Sequence, residues 1–389
     1  MTPPRAGHAR AGHARAGKTR AGGSRDARIV RHLVAWFDAA RRNLPWRIER
    51  PGGGRDPYRV LVSEIMLQQT QVARVLEKFD AFLARFPDAE ALARADLHDV
   101  LAAWSGLGYY RRARLLHAAA RVIASHPGGL TPDLDDLKAL PGVGRYTAGA
   151  IASIAFNQPA PIVDGNVARV LARLDADAKA SATSPQTWTR ATVLVTIAGA
   201  QAAAGRFNEG LMELGATVCT PRAPACGRCP LAGDCVAHAN ASQDCYPTPK
   251  PAAARRTIRV LCAAVYDSKG RLLVEQRPAT GLWAGLWQMS AIEREQGPAP
   301  TRDQLAHALG LDHGTSWRRL GVVRVVLSHR EVSLTLLAPR IPPSPRELRA
   351  MARGRRWVGA ADLARLGISN AHQKAIAMAA SASPVPTIA

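Results

Sequence analysis

Acidic residues are scarce in this sequence: 30 Asp and Glu stand against 52 Lys and Arg, which gives a formal net charge of +22. Long apolar runs are also missing, because no stretch approaches the ~20 residues that a membrane-spanning helix needs. The N-terminal segment carries charge but lacks the apolar core of a secretory signal. These absences argue against a membrane protein and against an exported one.

The excess of positive charge predicts a polyanionic partner, and nucleic acid is favoured over a membrane surface. Part of this charge lies in the repeat "RAGHARAGHARAG" near the N-terminus. Residues 1–27 are rich in Gly and Arg and poor in bulky apolar residues, so we expect a disordered basic tail. A coding bias towards Arg and Ala is the alternative explanation of the charge.

The rest of the chain divides by its periodicity. From residue 28 to 235 the apolar residues recur at helical spacing, as in Ile29, Leu33, Trp36 and Phe37, and no convincing strand interrupts them. Residues 236–256 include "PTPKPAAA" and are predicted to be a linker. Residues 257–380 read as paired strands with one short helix, which predicts an α+β domain, and 381–389 form a tail. The predicted fold is therefore an all-α domain followed by a smaller α+β domain.

Six cysteines are present, and four of them fall close together. Cys219, Cys226, Cys229 and Cys235 are separated by six, two and five residues. Four thiols at this spacing can converge on one metal centre, either zinc or an iron–sulfur cluster, and the spacing alone does not choose between them. A disulfide pair is the alternative, which a reducing compartment disfavours. The remaining two cysteines are expected to be ordinary thiols.

The stretch "LPGVGRYTAGA", residues 140–150, places Gly142 and Gly144 in a turn before a helical run. Backbone N–H groups at such a helix start can hold a phosphate. A mononucleotide loop is disfavoured because no Lys-Ser/Thr pair follows the glycines. A glycine turn with no ligand is the plainer alternative.

With the cysteine spacing, this stretch resembles the helix–hairpin–helix of the endonuclease III superfamily of DNA glycosylases, over residues 28 to 235. The resemblance implies a [4Fe–4S] cluster on the four cysteines. It also implies that the N–H groups of Val143, Gly144 and their neighbours hold a DNA phosphate. Bifunctional members carry a lysine nucleophile where this sequence has Tyr146, and a phenol cannot replace that amine. The resemblance is therefore to a monofunctional glycosylase.

A single carboxylate, Glu64, stands among apolar residues in "LVSEIMLQQTQV", residues 61–72. An apolar site raises the pKa of a carboxyl group towards that of a useful general acid. An exposed surface position is the alternative for a lone Glu. The segment, with "RRNLPWR" and "WSGLGYYRRAR", resembles MutY-type adenine DNA glycosylases, in which this Glu protonates the adenine.

The same resemblance assigns further residues. It implies that four side chains surround the flipped adenine, namely Arg42, Trp46, Arg47 and Glu213. It implies that others lie near the opposing lesion, namely Leu67, Gln69, Thr70 and Tyr109 or Tyr110. Asp164 precedes a helical run and is a natural N-cap. The resemblance makes it also the carboxylate that offsets the sugar cation, supported by Asn166 and Tyr146.

The C-terminal domain resembles the Nudix-like domain with which MutY proteins recognise 8-oxoguanine. "RPATGLWAGLWQMS" and "LSHRE" carry this likeness, and it implies lesion contacts from Ser328 and His329. The sequence departs from the family pattern at Leu327 and at Met289-Ser290. The acidic motif of a metal-dependent pyrophosphatase does not follow Gly281, so we expect this domain to bind and not to hydrolyse.

These features predict a monofunctional glycosylase of base excision repair that hydrolyses adenine from mispairs with 8-oxoguanine or G. The reaction needs a base-flipped duplex, a proton for the leaving purine and a carboxylate for the sugar. One alternative is a bifunctional endonuclease III-like lyase for damaged pyrimidines, and another is a non-catalytic iron–sulfur DNA-binding module. We expect double-stranded DNA as partner, a monomer, no membrane association, and a bacterial cytoplasmic location near the nucleoid.

Overall fold

The computed structural model describes residues 24–50, 54–248, 255–327, 330–341, 343, 354–363 and 365–382. Ser328, His329 and residues 1–23 lie outside these ranges. Within them, no helix has the length and apolar character to cross a bilayer.

The first half of the described chain is helical, as predicted. Its α-helices are α1 (Arg25–Ala40), α2 (Pro57–Leu67), α3 (Val72–Leu76), α4 (Phe79–Arg85), α5 (Ala89–Arg94), α6 (Leu97–Ala103), α7 (Arg111–Ser125), α8 (Leu134–Ala139), α9 (Arg145–Phe156), α10 (Gly165–Asp175), α11 (Pro185–Gly199), α12 (Ala204–Thr217) and α13 (Val236–Ala239). Helix α1 starts at Arg25, so the last residues of the predicted tail are helical.

Side-chain oxygens cap many of these helices at the N-terminus, where the first N–H groups have no partner in the helix. The Asp56 carboxylate accepts from Tyr58 and Arg59 at the start of α2, and Pro57 follows it in the first turn. The Asp164 carboxylate accepts from the Val167 N–H, 2.7 Å away, at the start of α10. The N-cap interpretation of Asp164 is therefore correct.

Two hydrophobic cores divide the helical domain into two lobes. The first lobe is built from α2 to α9 around Phe79, Phe82 and Trp104. The second lobe is built from α1 and α10 to α12 around Leu33 and Phe207. The chain begins in the second lobe, passes through the first and returns along α9, whose residues contribute to both cores.

Part of the predicted linker is packed on the helical domain. Helix α13 lies against α10. The Arg173 side chain donates to the carbonyls of Gln243 and Tyr246 at 2.9 and 3.1 Å. The "PTPK" composition predicts a linker, and the described part of this segment ends at residue 248. Its first residues nevertheless pack on the helical domain, because the buried Arg173 binds these two carbonyls.

The C-terminal domain contains two sheets. Its strands are β1 (Arg256–Ala263), β2 (Leu272–Gln276), β3 (Trp287–Met289), β4 (Ala291–Arg294), β5 (Trp317–Val326), β6 (Arg330–Pro339) and β7 (Arg355–Val358). One sheet has the order β4-β1-β6-β5 and the other β3-β2-β7, and β1 pairs with β6 in parallel. Its helices are α14 (Arg302–Ala308), α15 (Ala360–Leu363) and α16 (Asn370–Ala382). The predicted α+β class is confirmed.

The C-terminal domain docks on the first lobe. Leu286 is 1% exposed and packs into the helical core. The Tyr110 hydroxyl donates to the Ile368 carbonyl at 2.9 Å, and Arg114 donates to the Ala284 carbonyl at 3.0 Å. The two domains therefore share a buried interface that includes hydrogen bonds.

Candidate active site and iron–sulfur loop

Glu64 lies inside α2, at the junction of the two lobes, and is 7% exposed. Burial raises the pKa of its carboxyl group to about 7, although the nearby Tyr146 hydroxyl opposes this rise. The charges of Glu209 and Asp164 raise the pKa further. A carboxyl group in this environment holds its proton near neutral pH, as a general acid must.

Asp164 faces Glu64 from the second lobe. Burial raises the pKa of the Asp164 carboxyl, while the N–H groups of Val167 and Asn166 at the start of α10 oppose the rise. Tyr146, at the start of α9, lies between them, and burial together with the two carboxylates holds the pKa of its phenol well above 10. Tyr146 also donates to the Met212 sulfur at 2.8 Å. The structure thus brings these three predicted site residues together.

Glycine allows the close backbone approach that positions these residues. A Cβ on Gly149 of α9 would lie 2.3 Å from the Pro161 carbonyl oxygen, in the segment that leads to Asp164. A Cβ on Gly215 of α12 would lie 2.7 Å from the Asn166 Cβ. Larger residues at either position would collide with the segment that carries Asp164.

Two buried carboxylates on α12 bind three arginines. Glu213 accepts from Arg42 at 2.6 and 2.9 Å and from Arg47 at 2.9 Å. Glu209 accepts from Arg47 at 3.1 Å and from Arg55 at 2.7 Å. Arg42, Arg47 and Glu213, which were predicted to surround the adenine, therefore form one ion-pair network whose carboxylate oxygens are occupied by guanidinium groups.

Trp46, predicted beside the adenine, is 7% exposed and packs edge-on against Phe79 with ring centroids 5.3 Å apart. The structure places it in the core of the first lobe.

Two exposed loop residues adopt left-handed backbone conformations: Gln69 has φ of 55° and Tyr109 has φ of 46°. Such conformations are uncommon outside glycine and are often found at functional sites. The buried Arg112 side chain joins the two loops, since it donates to the carbonyls of Gln68 and Leu107 and to the Thr70 hydroxyl. Leu67, at the end of α2, is half-buried between them and the core.

The two tyrosines left as alternatives have different environments. Tyr109 is 44% exposed, whereas Tyr110 is 5% exposed and bonded to the C-terminal domain. Tyr109 alone is available to a large external partner.

The predicted phosphate turn precedes α9. Gly142 has φ of 81°, in the region that favours glycine, and Gly144 is the N-cap of α9. The Val143 N–H donates to the Leu140 carbonyl at 3.1 Å. This N–H therefore closes the turn, and the expectation that it also holds a phosphate stays a prediction. The remaining donors are the N–H of Gly144 and those of the first turn of α9.

The four predicted ligand cysteines line one cavity of about 30 Å³, together with Arg173 and Gln243. Arg173 donates to the Cys219 sulfur at 3.4 Å, and Gln243 donates to the Cys226 sulfur at 3.6 Å. Burial raises the pKa of Cys229 to about 11, and the other three cysteines add to the rise, so its thiolate form requires a neighbouring positive charge such as a metal ion would supply.

Four cysteines around one cavity offer ligands for a single zinc ion or for an iron–sulfur cluster. A single zinc ion needs four sulfurs about 2.3 Å from one point. In the described ranges, no three His, Cys, Asp or Glu side chains are placed to hold one metal ion. Iron–sulfur clusters are held by four cysteine thiolates, and the four cysteines that line this one cavity fit such a group.

A chain of hydrogen bonds connects this cysteine loop to the active site. Arg169 donates to the Cys219 carbonyl at 2.8 Å and to the Asn166 side chain at 2.8 Å. Asn166 donates to the Asp164 carboxylate at 3.2 Å. The predicted supporting role of Asn166 thus has a structural basis, and the cysteine loop helps to fix Asp164.

Three buried residues of this region were not predicted: Arg55, Arg112 and Glu209. Glu209 had a sequence signal, because it precedes Glu213 by one helical turn in "NEGLMEL" and the two carboxylates therefore lie on one helix face. Arg112 had no such signal, because the sequence does not distinguish it from its neighbour Arg111. Only the folded chain shows that Arg112 is buried and Arg111 is exposed.

Comparison with family models divides the chain into three matched regions. Residues 62–191 match the HhH-GPD superfamily of base excision DNA repair proteins. Residues 219–235 match the iron-sulfur binding domain of endonuclease III. Residues 261–378 match the NUDIX domain.

Similar proteins align with half of this chain or more. An adenine DNA glycosylase of Rattus norvegicus is 38% identical over 355 residues, which are 77% of this chain and 68% of the rat protein. An adenine DNA glycosylase of Mycolicibacterium smegmatis is 46% identical over 200 residues, covering 51% of this chain and 66% of that protein. Among solved structures, a thermostable thymine-DNA glycosylase matches with a TM-score of 0.50 and 29% identity, over 56% of this chain and 97% of that one.

Proposed function

This chain belongs to the adenine DNA glycosylases, and from that premise we propose that it excises adenine paired with 8-oxoguanine or G. It is a base excision repair enzyme with a helix–hairpin–helix domain, an iron–sulfur cluster of the [4Fe–4S] type and a Nudix-like domain. Cys219, Cys226, Cys229 and Cys235 would hold this cluster, and its iron–thiolate bonds would cross-link residues 219–235.

The observation that carries the mechanism is the placement of Glu64, buried at the lobe junction and facing Asp164. Breaking the glycosidic bond leaves electron density on the purine and positive charge on the sugar. A proton from the Glu64 carboxyl neutralises the leaving adenine, while the Asp164 carboxylate offsets the sugar cation. Water then attacks the sugar and leaves an abasic site.

The contrast with a lyase rests on Tyr146. A lyase needs an amine that attacks the sugar, and the phenol at this position is held in its neutral form by its high pKa. We therefore propose hydrolysis without strand cleavage.

We propose that recognition of the opposing base involves Gln69 and Tyr109 of the helical domain and Ser328 and His329 of the C-terminal domain. Exposure and left-handed backbone at Gln69 and Tyr109 support the first pair. The second pair follows from the "LSHRE" likeness alone. We further propose that the protein acts as a monomer on double-stranded DNA in the cytoplasm.

Single-turnover excision tests this function. Duplexes with A opposite 8-oxoguanine, G, C and T are compared, and we expect the fastest adenine release opposite 8-oxoguanine. Glu64→Gln keeps the shape but removes the proton, so the rate should fall by about 10²- to 10⁴-fold while duplex binding persists. Glu77→Gln, an exposed carboxylate, is the matched control. Wild-type release by the Glu64 variant would contradict the assignment.

A further inference from the structure

Three arginines stand in one row across the four-stranded sheet. The strand register pairs Arg259 of β1 with Arg294 of β4 and with Ser333 of β6, and Ser333 with Arg324 of β5. Side chains of paired residues project from the same face of a sheet. Arg259 and Arg324 are exposed, whereas Val260 and Val332, one residue away, are buried on the opposite face.

These arginines have no carboxylate partner among the described residues. Among the described residues, the Arg259 side chain donates only to the Gly297 carbonyl, at 3.3 Å. The nearby Glu295 is engaged by Arg256 and Arg330 instead. Like charges directly opposite one another on antiparallel strands are destabilising, so the Arg259–Arg294 pair costs stability in the protein alone. An external anion would relieve this repulsion.

The row also lies along a groove. Arg259 and Arg324 line a groove of about 280 Å³, together with Thr257, Ser333 and Thr335. The groove contains one carboxylate, Glu331, which forms no ion pair with either arginine among the described residues. With neighbouring strands about 4.8 Å apart, the row spans roughly 14 Å, the axial length of about four phosphates of one DNA strand.

We propose that this arginine row, Arg259, Arg294 and Arg324, binds the phosphate backbone of the DNA duplex. The two strands that carry Arg324 and Ser333 pair antiparallel as a hairpin, and at its described end the Leu327 N–H donates to the Arg330 carbonyl at 2.7 Å. Arg324 precedes Leu327 by three residues, or about 10 Å of strand, so a duplex touching that end of the hairpin is within reach of the row. The proposal rests on the proposed function only in assuming that this hairpin faces DNA.

Salt-dependent binding to an undamaged duplex tests the row separately from catalysis. The double variant Arg259→Gln/Arg324→Gln should make the plot of log affinity against log salt shallower by about 1.8, and affinity at 0.1 M salt should fall about 60-fold. The double variant Lys269→Gln/Arg302→Gln removes the same charge from exposed positions elsewhere in the domain. It should change the slope by less than about 0.5.

A third variant should change duplex affinity and its salt dependence in the opposite direction. Glu331→Gln removes the carboxylate from the groove, so it should tighten duplex binding and steepen the salt dependence, an effect that a merely structural role for these residues does not produce. Equal slopes for the two double variants would overturn the proposal. The proposal would also be overturned if the Arg259/Arg324 variant bound heparin more weakly but bound duplex DNA as well as the wild type, because the row would then serve another polyanion. Adenine excision is measured in parallel, and its absence in the wild type would count against the proposed function but not against the row.

Discussion

Glu64 and Glu213 show how partners decide the chemistry of two buried carboxyl groups. Burial favours the protonated form of both. Arg42 and Arg47 outweigh burial at Glu213 and lower the pKa of that carboxyl. Glu64 has no guanidinium in hydrogen-bond contact among the described residues, and its pKa rises to about 7. One carboxylate is therefore a fixed charge of the scaffold, and the other can transfer a proton.

The pH dependence of excision should follow these groups. Glu64 must carry its proton, so the rate at limiting substrate should fall about tenfold per pH unit above pH 7. Asp164 must be ionised, so the rate should also fall in acid, at a pH above the ordinary range of an aspartate because burial raises its pKa. A bell-shaped profile from single-turnover assays is the expected result, and a flat profile between pH 5 and 9 would be incompatible with Glu64 as the acid.

The alkaline limb of that profile can be moved deliberately. Glu209 raises the pKa of Glu64 through its negative charge. Glu209→Gln should therefore shift the alkaline limb to lower pH, whereas the exposed Glu77→Gln should leave it in place. An unchanged limb in the Glu209 variant would mean that another group titrates there.

Sequence reasoning found Glu64 because a charge within an apolar helical run needs an explanation. It found Asp164 and the four cysteines because capping and metal ligation each impose a local spacing. It could not foresee the hydrogen bond from Val143 to Leu140, which depends on the turn geometry and not on the residue types, and the phosphate contact stays a prediction. It left Tyr109 and Tyr110 unresolved because only docking of the second domain buries one of them.

At the scale of elements, the C-terminal end of α2 is capped by a distant side chain. Arg112 of α7 donates to the carbonyls of Ile65 and Met66 at 2.8 Å each. Helix ends leave such carbonyls without partners in the helix, and here neither glycine nor water-facing backbone satisfies them. The same guanidinium reaches the Gly108 carbonyl, so α2 and the loop before α7 depend on one residue.

Arg112→Ala should therefore lower the free energy of unfolding by at least about 3 kcal/mol, because several buried carbonyls lose a charged donor. Arg111→Ala, at the exposed neighbouring position, should stay within about 0.5 kcal/mol of the wild type. Urea denaturation measures both. If the two variants were equally stable, the carbonyls at the end of α2 would have another donor.

The longer helices and the paired strands were predictable because their apolar spacing extends over several turns or several alternations. Helices α3 to α5 were not predicted, since each spans only one or two turns and Asp88 alone marks a start. Helix α16 was also missed, because its run of alanines has little contrast between faces until it packs on β5 and β6.

For the whole molecule, the interface between the domains makes the helical domain sensitive to changes in the Nudix-like domain. Leu286 belongs to the C-terminal domain by sequence but to the first lobe by packing. Ser105 receives a hydrogen bond of 2.7 Å from Gln373 of α16, next to the loop that presents Tyr109. The exposed tyrosine is thus positioned by both domains.

Leu286→Ala should lower the free energy of unfolding by about 2–5 kcal/mol and make α6 and α7 of the helical domain less stable locally. Leu273→Ala removes the same atoms from a buried site in the C-terminal domain that does not touch the helical core. Hydrogen exchange separates the two: protection in Leu97–Ala103 should fall only in the Leu286 variant. Equal protection in both would show that the domains unfold independently.

The division of the helical domain into two lobes has a consequence for how activity can be lost. Glu64, the proposed proton donor, belongs to one lobe, and Asp164, the proposed cation-stabilising carboxylate, belongs to the other, so their separation is set by how the two cores meet. A substitution far from either group that shifts one lobe by about 1 Å against the other would strongly reduce activity although every reacting side chain is still present. Inactivating changes should therefore cluster along the seam between the lobes as well as around the adenine.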